Sequence, residues 1–443
     1  MSSSFGGADV LRRRAAVSAL YFLPGVAMAT WVVRTPTVRD ALDASTGEMG
    51  WVLAGLSGGS MAGILASGRL VARFGARRII AGGTAAVLAG LVLVGVGTGL
   101  GSAVVVTAGL AVLGAGIGGG DVAMNVEGAA IEHLSGRPFL PVLHGWFSLG
   151  TVVGAVIGLG AAALGLPMVW HALGLAVVGV AGAVAVIDWV SAESGRRPAG
   201  AQVEQRRASG VRRWRDRRLL VVCICVVGVA LAEGAANDWL PLLVIDGHGF
   251  PDAWGSGVYV IFAAAMATGR FGGGWVVNRV GPARALVLSG LTAATGVALV
   301  VLVDQDAIVV GAVVLWGLGS ALGFPVVLSA AGRTGPDFAA RVAAVSTVGF
   351  TAFLVGPPVL GLVGEDSGLR AAMLVPLAFI LVSTALAPAL TRVAPMSAGR
   401  GVAADRDPSS DWPWLCRSCA TMNEPRRRRC RDCRTRRESV GGR

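Results

Sequence analysis

Twelve long apolar runs follow one another along this chain of 443 residues. Each run has about the length that a helix needs to cross a bilayer, roughly 20 residues. Short polar segments separate the runs. The pattern predicts an all-α membrane protein with twelve transmembrane helices. The predicted spans are 16–37, 49–67, 79–99, 103–130, 140–162, 168–190, 219–244, 254–273, 285–303, 307–331, 342–363 and 371–391.

Two longer polar segments divide the chain into predicted domains. Residues 1–190 form an N-terminal six-helix half, and 219–393 form a C-terminal six-helix half. The segment between them, 191–218, is an Arg-rich cytosolic linker. A second linker, 394–411, is rich in Ala, Ser, Gly, Asp and Pro. It leads to a small module at 412–437.

Composition and charge support a membrane protein and orient it. The chain is 54% hydrophobic and 14% charged, whereas a soluble protein carries about 25% charged residues. All 38 basic residues are arginine. The loops predicted on one side of the membrane contain only two arginines, Arg39 and Arg370. Most of the other arginines lie in the segments predicted on the opposite side. This asymmetry places both termini in the cytosol. The net charge of +12 therefore indicates nucleic-acid binding at most for the C-terminal tail.

Two short loops are near copies of each other, and they lie at equivalent positions after spans 2 and 8. A cationic turn repeated at half the length of the membrane region indicates a duplicated bundle, a common plan of secondary transporters. Residues Gly68, Arg73 and Gly75 of the first copy and Asn278, Arg279 and Gly281 of the second are the predicted gating loops.

A family resemblance is carried by these turns and by the segments Trp31–Pro36, Gly120–Gly128, Leu143–Gly150 and Glu233–Trp239. Over about residues 10–395 the chain resembles the major facilitator superfamily, in a bacterial inner-membrane branch close to the fucose-permease-type sugar/proton symporters. The resemblance implies proton-coupled transport by alternating access. The family's turn carries an acid before the arginine. Here Ala72 and Asn278 replace that acid, which weakens the gating role of the loops.

Span 4 concentrates polar residues that are expensive inside a bilayer and are therefore predicted to be functional. Asp121 and Asn125 are four residues apart and share one helix face. Glu127 lies about 100° from that face, towards the cytosol. We predict proton coupling, with Asp121 or Glu127 taking the proton. The alternative is that both acids form structural ion pairs, with Arg34, Arg137 or Arg341 as partners.

Spans 7 and 8 supply candidates from the second half. Glu233 and Asn237 share a face of span 7 and are predicted ligands of the solute or the proton. Alternatively, Glu233 belongs to an outer gate with Arg34 or Arg39. Arg270 of span 8 is predicted to bind an anionic solute or to pair with Glu233.

Span 5 adds His144 and Trp146. The ordinary pKa of histidine allows His144 to relay protons, although a histidine at a helix start is more commonly an ordinary hydrogen-bonded residue. Trp146 is predicted either to stack on a sugar ring or to fill the bundle.

The tail contains two Cys-x2-Cys pairs, the spacing of a tetrahedral zinc site. Four thiolates leave no open position, so the predicted zinc is structural. With Trp414 and Asn423, the segment is similar to RanBP2-type zinc fingers. That resemblance argues against ubiquitin binding, since Ala420 and Thr421 replace the required Thr-Phe. The Arg426–Arg429 run leaves RNA, anionic lipid or a protein as partner. The predicted ligands are Cys416, Cys419, Cys430 and Cys433.

The predicted function is therefore secondary active transport of a small polar solute, by proton symport, with no enzymatic activity and a regulatory finger. A drug or metabolite efflux antiporter is one alternative, although Leu159 stands where an efflux motif has proline. A membrane receptor that recruits RNA or protein through the finger is the other.

Overall fold

The structure, a computed structural model, describes residues 7–135, 139–196, 216–333, 338–390, 414–415 and 422–423. The chain divides into two units, Met1–Val393 and Ala394–Arg443. The helices of the first unit are α1 (Gly7–Val33), α2 (Thr35–Leu42), α3 (Thr46–Phe74), α4 (Ala76–Gly99), α5 (Ala103–Ser135), α6 (Leu140–Ala163), α7 (Met168–Val186), α8 (Arg217–His248), α9 (Asp252–Val280), α10 (Pro282–Leu302), α11 (Asp306–Ser320), α12 (Gly323–Arg333), α13 (Phe338–Ser367), α14 (Leu369–Ala372) and α15 (Leu374–Leu386), with short 3₁₀ turns at Ile187–Trp189 and Ala387–Leu390.

The described residues contain twelve helices long and apolar enough to cross a membrane, which confirms the predicted spans. Spans 1 to 12 are formed, in order, by α1, α3, α4, α5, α6, α7, α8, α9, α10, α11 with α12, α13, and α14 with α15. Consecutive spans run in opposite directions. We call the side with the turns at 74–76 and 280–282 the terminal face, and the side with 33–46 and 302–306 the far face.

Prolines interrupt spans 10 and 12, which the apolar pattern predicts as continuous. A proline ring clashes with the carbonyl four residues earlier. Pro325 accordingly follows a break at residues 321–322, and Pro376 follows the end of α14 at Ala372. The Gly356-Pro357-Pro358 sequence likewise suggests a broken span 11, but this expectation is wrong, because α13 continues through both prolines.

Small residues let the helices of each half approach closely. Span 4 packs between spans 2 and 3 in the first half, and span 10 packs against spans 8 and 9 in the second. At Gly109 of span 4, an added Cβ would lie only 2.7 Å from the backbone nitrogen of Val94 in span 3. Such contacts replace the hydrophobic driving force that lipid cannot supply.

The buried apolar residues form one cluster at the far face and two at the terminal face. The far-face cluster joins both halves, and Trp31, Trp239 and Trp316 lie fully buried within it. On the terminal face, one cluster draws all its residues from the first half and the other draws all of its residues from the second. The apolar core is thus continuous at the far face and divided at the terminal face.

Polar contacts between the halves reinforce the far face. Three pairs link the far-face ends of spans 1, 2 and α2 in the first half to spans 7, 8 and 11 in the second. We call them the far-face closure. The Ser256 hydroxyl donates to the Val33 carbonyl (2.8 Å), the Gly47 amide donates to Glu365 (2.8 Å), and Arg39 pairs with Asp246.

The two copied turns share one backbone conformation. Gly75 has φ 82° and ψ 161°, and Gly281 has φ 83° and ψ 158°, values that favour glycine. Each turn also places its arginine over an aromatic ring. The Arg73 guanidinium lies 5.1 Å from the Phe74 ring centroid. Arg279 lies 5.3 Å from the ring centroid of Trp275.

Ion pairing also fixes the start of the second half. Asp216 caps α8 by accepting from the Arg218 amide at 3.0 Å, and the Arg341 guanidinium donates to it at 2.6 Å. Burial disfavours the Asp216 carboxylate, but these hydrogen bonds outweigh burial and lower its pKa.

The second unit contains a small antiparallel hairpin, β1 (Trp414–Leu415) with β2 (Met422–Asn423). Trp414 lies opposite Asn423 in its register. The cysteines Cys416, Cys419, Cys430 and Cys433 lie outside the described residues.

The close fit at the far face yields a first prediction. A Cβ on Gly50 of span 2 would lie 2.9 Å from the Pro357 carbonyl oxygen of span 11. We expect Gly50→Val to separate the halves there and to raise maleimide labelling of a Ser256→Cys reporter about tenfold. Gly68→Val is the matched control, because Gly68 is on the same helix with nothing within 4 Å. Equal labelling in both variants would contradict the close fit.

Candidate functional site

A first group of polar side chains meets in the first half, inside the bundle. The Tyr21 hydroxyl of span 1 donates to the Asp121 carboxylate of span 4. The same oxygen lies 3.1 Å from His144 Nδ1 of span 5. The Asn125 amide donates to the Asp121 carbonyl of its own helix at 2.9 Å. Asp121 and His144, which lie on different spans, are therefore bridged by one tyrosine.

A second group reaches across from the second half. Arg270 of span 8 donates to Glu233 of span 7 at 2.7 Å and to the Ser148 hydroxyl of span 5 at 3.2 Å. Ser148 belongs to the first half, so Arg270 bridges the halves. Of the sequence alternatives for these two residues, the structure shows the Arg270–Glu233 ion pair and no outer gate at Glu233.

The two groups meet on span 5. Ser148 follows His144 by one helical turn, and its hydroxyl donates to the His144 carbonyl at 3.3 Å. A series of polar residues therefore connects one half to the other, and its Ser148–His144 step passes through the His144 backbone carbonyl. We call this series the polar chain. Its members are Asp121, Tyr21, His144, Ser148, Arg270 and Glu233.

The surroundings of the polar chain differ on its two sides. Towards the far face lies the continuous apolar core, which the Asn237–Tyr259 hydrogen bond (3.0 Å) borders. Towards the terminal face the core is divided, and the side chain of His144 is exposed. On that side the Phe271 ring of span 8 lies close to Gly145 of span 5. The polar chain thus lies at the boundary between the continuous and the divided parts of the apolar core.

Glu127 lies apart from the polar chain, in a structural ion pair. It is fully buried and accepts from Arg13 at 2.7 Å. The Ser191 amide adds a 3.3 Å hydrogen bond, so Glu127 ties spans 1 and 4 to the segment after span 6. The predicted partners Arg34 and Arg341 lie elsewhere, and Arg137 is outside the described residues. This geometry favours the structural alternative for Glu127 over proton uptake.

Two other predicted site residues also lie away from the polar chain. Arg34 is at the far-face end of span 1, where it donates to the Leu166 carbonyl at 2.7 Å. Trp146 follows His144 by two residues, which turns it about 200° around the helix. Its side chain is 39% exposed. Stacking of Trp146 on a solute at the polar chain gains no support from this placement.

These observations place a polar site, to which both halves contribute side chains, at the centre of a duplicated twelve-helix bundle. A family model described as Major Facilitator Superfamily matches residues 17–351. The chain belongs to the major facilitator superfamily. It is thus a multi-pass membrane transport protein and not an enzyme.

Similar proteins come from several bacteria. An uncharacterised MFS-type transporter of Yersinia pestis is 27% identical over 375 residues, covering 84% of this chain and 94% of the relative. An uncharacterised transporter of Sinorhizobium fredii is 29% identical over 382 residues, covering 84% and 97%. The membrane protein MosC of Rhizobium meliloti is 27% identical over 370 residues, covering 81% and 85%.

Several solved transporter structures share the fold. The Escherichia coli fucose:proton symporter FucP superposes with a TM-score of 0.61 at 16% identity, over 86% of this chain and 99% of that chain. The nucleoside transporter NupG gives 0.64 at 13% identity, over 86% and 99%. A bacterial homologue of the lysosomal transporter Spinster, inward-facing and occupied, gives 0.63 at 14%, over 89% and 98%.

Sequence reasoning missed several residues of this superfamily member's site. Tyr21 and Tyr259 are the chain's two tyrosines, and each hydrogen-bonds a predicted site residue. Tyrosine is rare in these apolar spans, and this rarity could have marked both residues as site candidates. Asp238, one residue after Asn237 in span 7, is 6% exposed and forms no ion pair with the described residues.

The described residues contain no group of three or more His, Cys, Asp or Glu placed to hold a metal ion.

The Arg13–Glu127 pair gives a stability prediction. Removing one member of a buried pair leaves an uncompensated charge, which costs roughly 3 kcal/mol. We expect Glu127→Gln to lower the thermal unfolding midpoint clearly and Asp121→Asn to lower it little. The double variant Arg13→Met/Glu127→Met is the control and should recover most of the loss. A Glu127→Gln protein as stable as wild type, but without proton coupling, would restore the functional interpretation.

Proposed function

We propose that this transporter carries a small polar solute together with protons, by alternating access around the polar chain. The observation that supports this most is that the polar chain joins Asp121 in one half to Glu233 in the other. A charged group at the centre of a bilayer is expensive, so its retention there indicates function. Movement of the two halves during transport would break and re-form contacts within the polar chain.

Proton binding is assigned to the first group. Asp121 is the proton acceptor, and Tyr21 and His144 form a path from it towards the divided terminal face. The Tyr21 hydroxyl contacts both side chains, so it can pass a proton between them.

Solute binding is assigned to the second group. The Arg270–Glu233 pair is 21% and 14% exposed in its side chains, so it offers donors and acceptors without net charge. Such a pair suits an uncharged solute with several hydroxyl groups better than a lipophilic cation. FucP is a fucose:proton symporter and NupG a nucleoside transporter, which is consistent with a solute of this polarity.

Asp238 is a second candidate for proton binding. It is buried in the far-face cluster next to Trp239, and no described residue offers it an ion pair. Burying a carboxyl group without an ion-pair partner is costly, so its retention there favours a function. Opening of the far face would expose this acid to the far solution.

The orientation follows from the arginine distribution. With the terminal face in the cytosol of a bacterial plasma membrane, both termini are cytosolic and the divided core faces inward. The structure then corresponds to a state closed to the outside. The copied turns lack the acid that the family has before the arginine. The far-face closure, whose contacts join the two halves directly, is therefore the better supported gate.

Transport in proteoliposomes tests this proposal. We expect solute-driven proton movement with sugars or nucleosides, reduced at least tenfold in Asp121→Asn and also in Tyr21→Phe. The control is Asp188→Asn, at the exposed end of span 6. Exchange of lipophilic cations for protons would indicate the efflux alternative. Absence of any transport, with signalling that depends on the tail, would favour the receptor.

A structural zinc finger in the tail completes the proposal. The hairpin pairs Trp414 with Asn423, and residues 416–421 between its strands contain the first Cys-x2-Cys pair. Four thiolates suit tetrahedral zinc, which such a small module needs in order to fold. The Arg426–Arg429 run would then present charge to RNA, anionic lipid or a protein.

Metal analysis of the purified full chain tests the finger. We expect about one zinc per chain, lost in Cys416→Ser and kept in Cys223→Ser, because Cys223 is buried in span 7. Zinc content that is zero in wild type, or unchanged in Cys416→Ser, would refute the assignment.

A further inference from the structure

A buried arginine at the far face lacks the partner that the other buried arginines have. Three arginines of the described chain are buried: Arg13, Arg34 and Arg341. Arg13 pairs with Glu127 and Arg341 with Asp216. Arg34 is 3% exposed and forms no ion pair with any described acid. An unpaired buried charge is the arrangement that proteins normally avoid.

The hydrogen bonding of Arg34 is also incomplete. A guanidinium has five N–H donors. One nitrogen donates to the Leu166 carbonyl at 2.7 Å, and Nε has no acceptor in the described structure. His171 lies close enough to Arg34 for their charges to interact. Neither ring nitrogen of His171 has a hydrogen-bond partner in the described structure.

Arg34 lines a pocket at the far face with a volume of about 300 Å³. The hydroxyl-bearing residues Thr37 and Thr98 share the lining. So do Met168 and Val169, the first residues of the 19-residue helix α7. Pro167 at the N-cap provides no side-chain cap for that helix. Free N–H groups and the helix dipole attract anions at such an end.

We propose that this pocket binds a small oxyanion, a phosphate or carboxylate group, which pairs with Arg34 and caps α7. The buried guanidinium supplies the charge, and the helix start supplies further donors. The site is separate from the polar chain, so it does not depend on the proposed solute or on proton coupling. Because the pocket opens at the far face, the anion comes either from solution or from the headgroup of an anionic lipid.

Thermal unfolding of the purified full chain in detergent tests the proposal. Sodium phosphate, sodium acetate and short-chain phosphatidylglycerol are the probes. A ligand at 100 times its Kd should raise the unfolding midpoint by about 3 °C in wild type. Arg34→Gln should remove the rise. Arg370→Gln should keep it, because Arg370 is a far-face arginine already paired with Asp304.

A second variant covers the case in which Arg34→Gln fails to fold. Thr37 lines the pocket and is exposed, so Thr37→Glu brings a carboxylate to Arg34. This variant should be more stable than wild type without added anion and should no longer respond to phosphate. A phosphate or acetate response indicates a free anion, and a response only to phosphatidylglycerol indicates a headgroup. Equal responses of wild type, Arg34→Gln and Thr37→Glu to every probe would overturn the proposal.

Discussion

Close packing between the two halves at the far face is the interaction on which the rest of the structure depends. Lipid is as apolar as the core, so burial of apolar surface alone does not hold helices together in a bilayer. The halves instead meet through close backbone approach, as between Gly50 and Pro357, and through the polar pairs of the far-face closure. The apolar core is shared by both halves at this face only and is divided at the other.

The position of the site follows from the apolar core being continuous at the far face and divided at the terminal face. The polar chain lies where the continuous core gives way to two separate clusters, so it is shielded from the far face and approachable from the terminal face. Span 5 links the two groups because His144 and Ser148 are one turn apart on it. A transporter needs such a site to be reachable from one side at a time, and a duplicated bundle provides it.

The fold was predictable from sequence because the bilayer imposes a simple pattern. Span number, duplication and the copied glycine turns all follow from apolar length and local motifs. Side-chain partners were much less predictable. Asp121 and Glu127 meet Tyr21 and Arg13, residues more than 90 positions earlier that no local pattern connects to them. Proline breaks in spans 10 and 12 were visible in sequence, but the continuous span 11 shows that tertiary packing can override such a signal.

We expect the two halves to open at one face as they close at the other. Double electron–electron resonance, which measures the distance between two spin labels, tests this on two labelled pairs. One pair joins the exposed far-face residues Leu100 and Gln305, and the other joins Leu134 and Arg284 near the terminal face. Across a pH series with solute, the far-face distance should lengthen as the terminal-face distance shortens. Two distances that stay fixed, or that change in the same direction, would contradict this expectation.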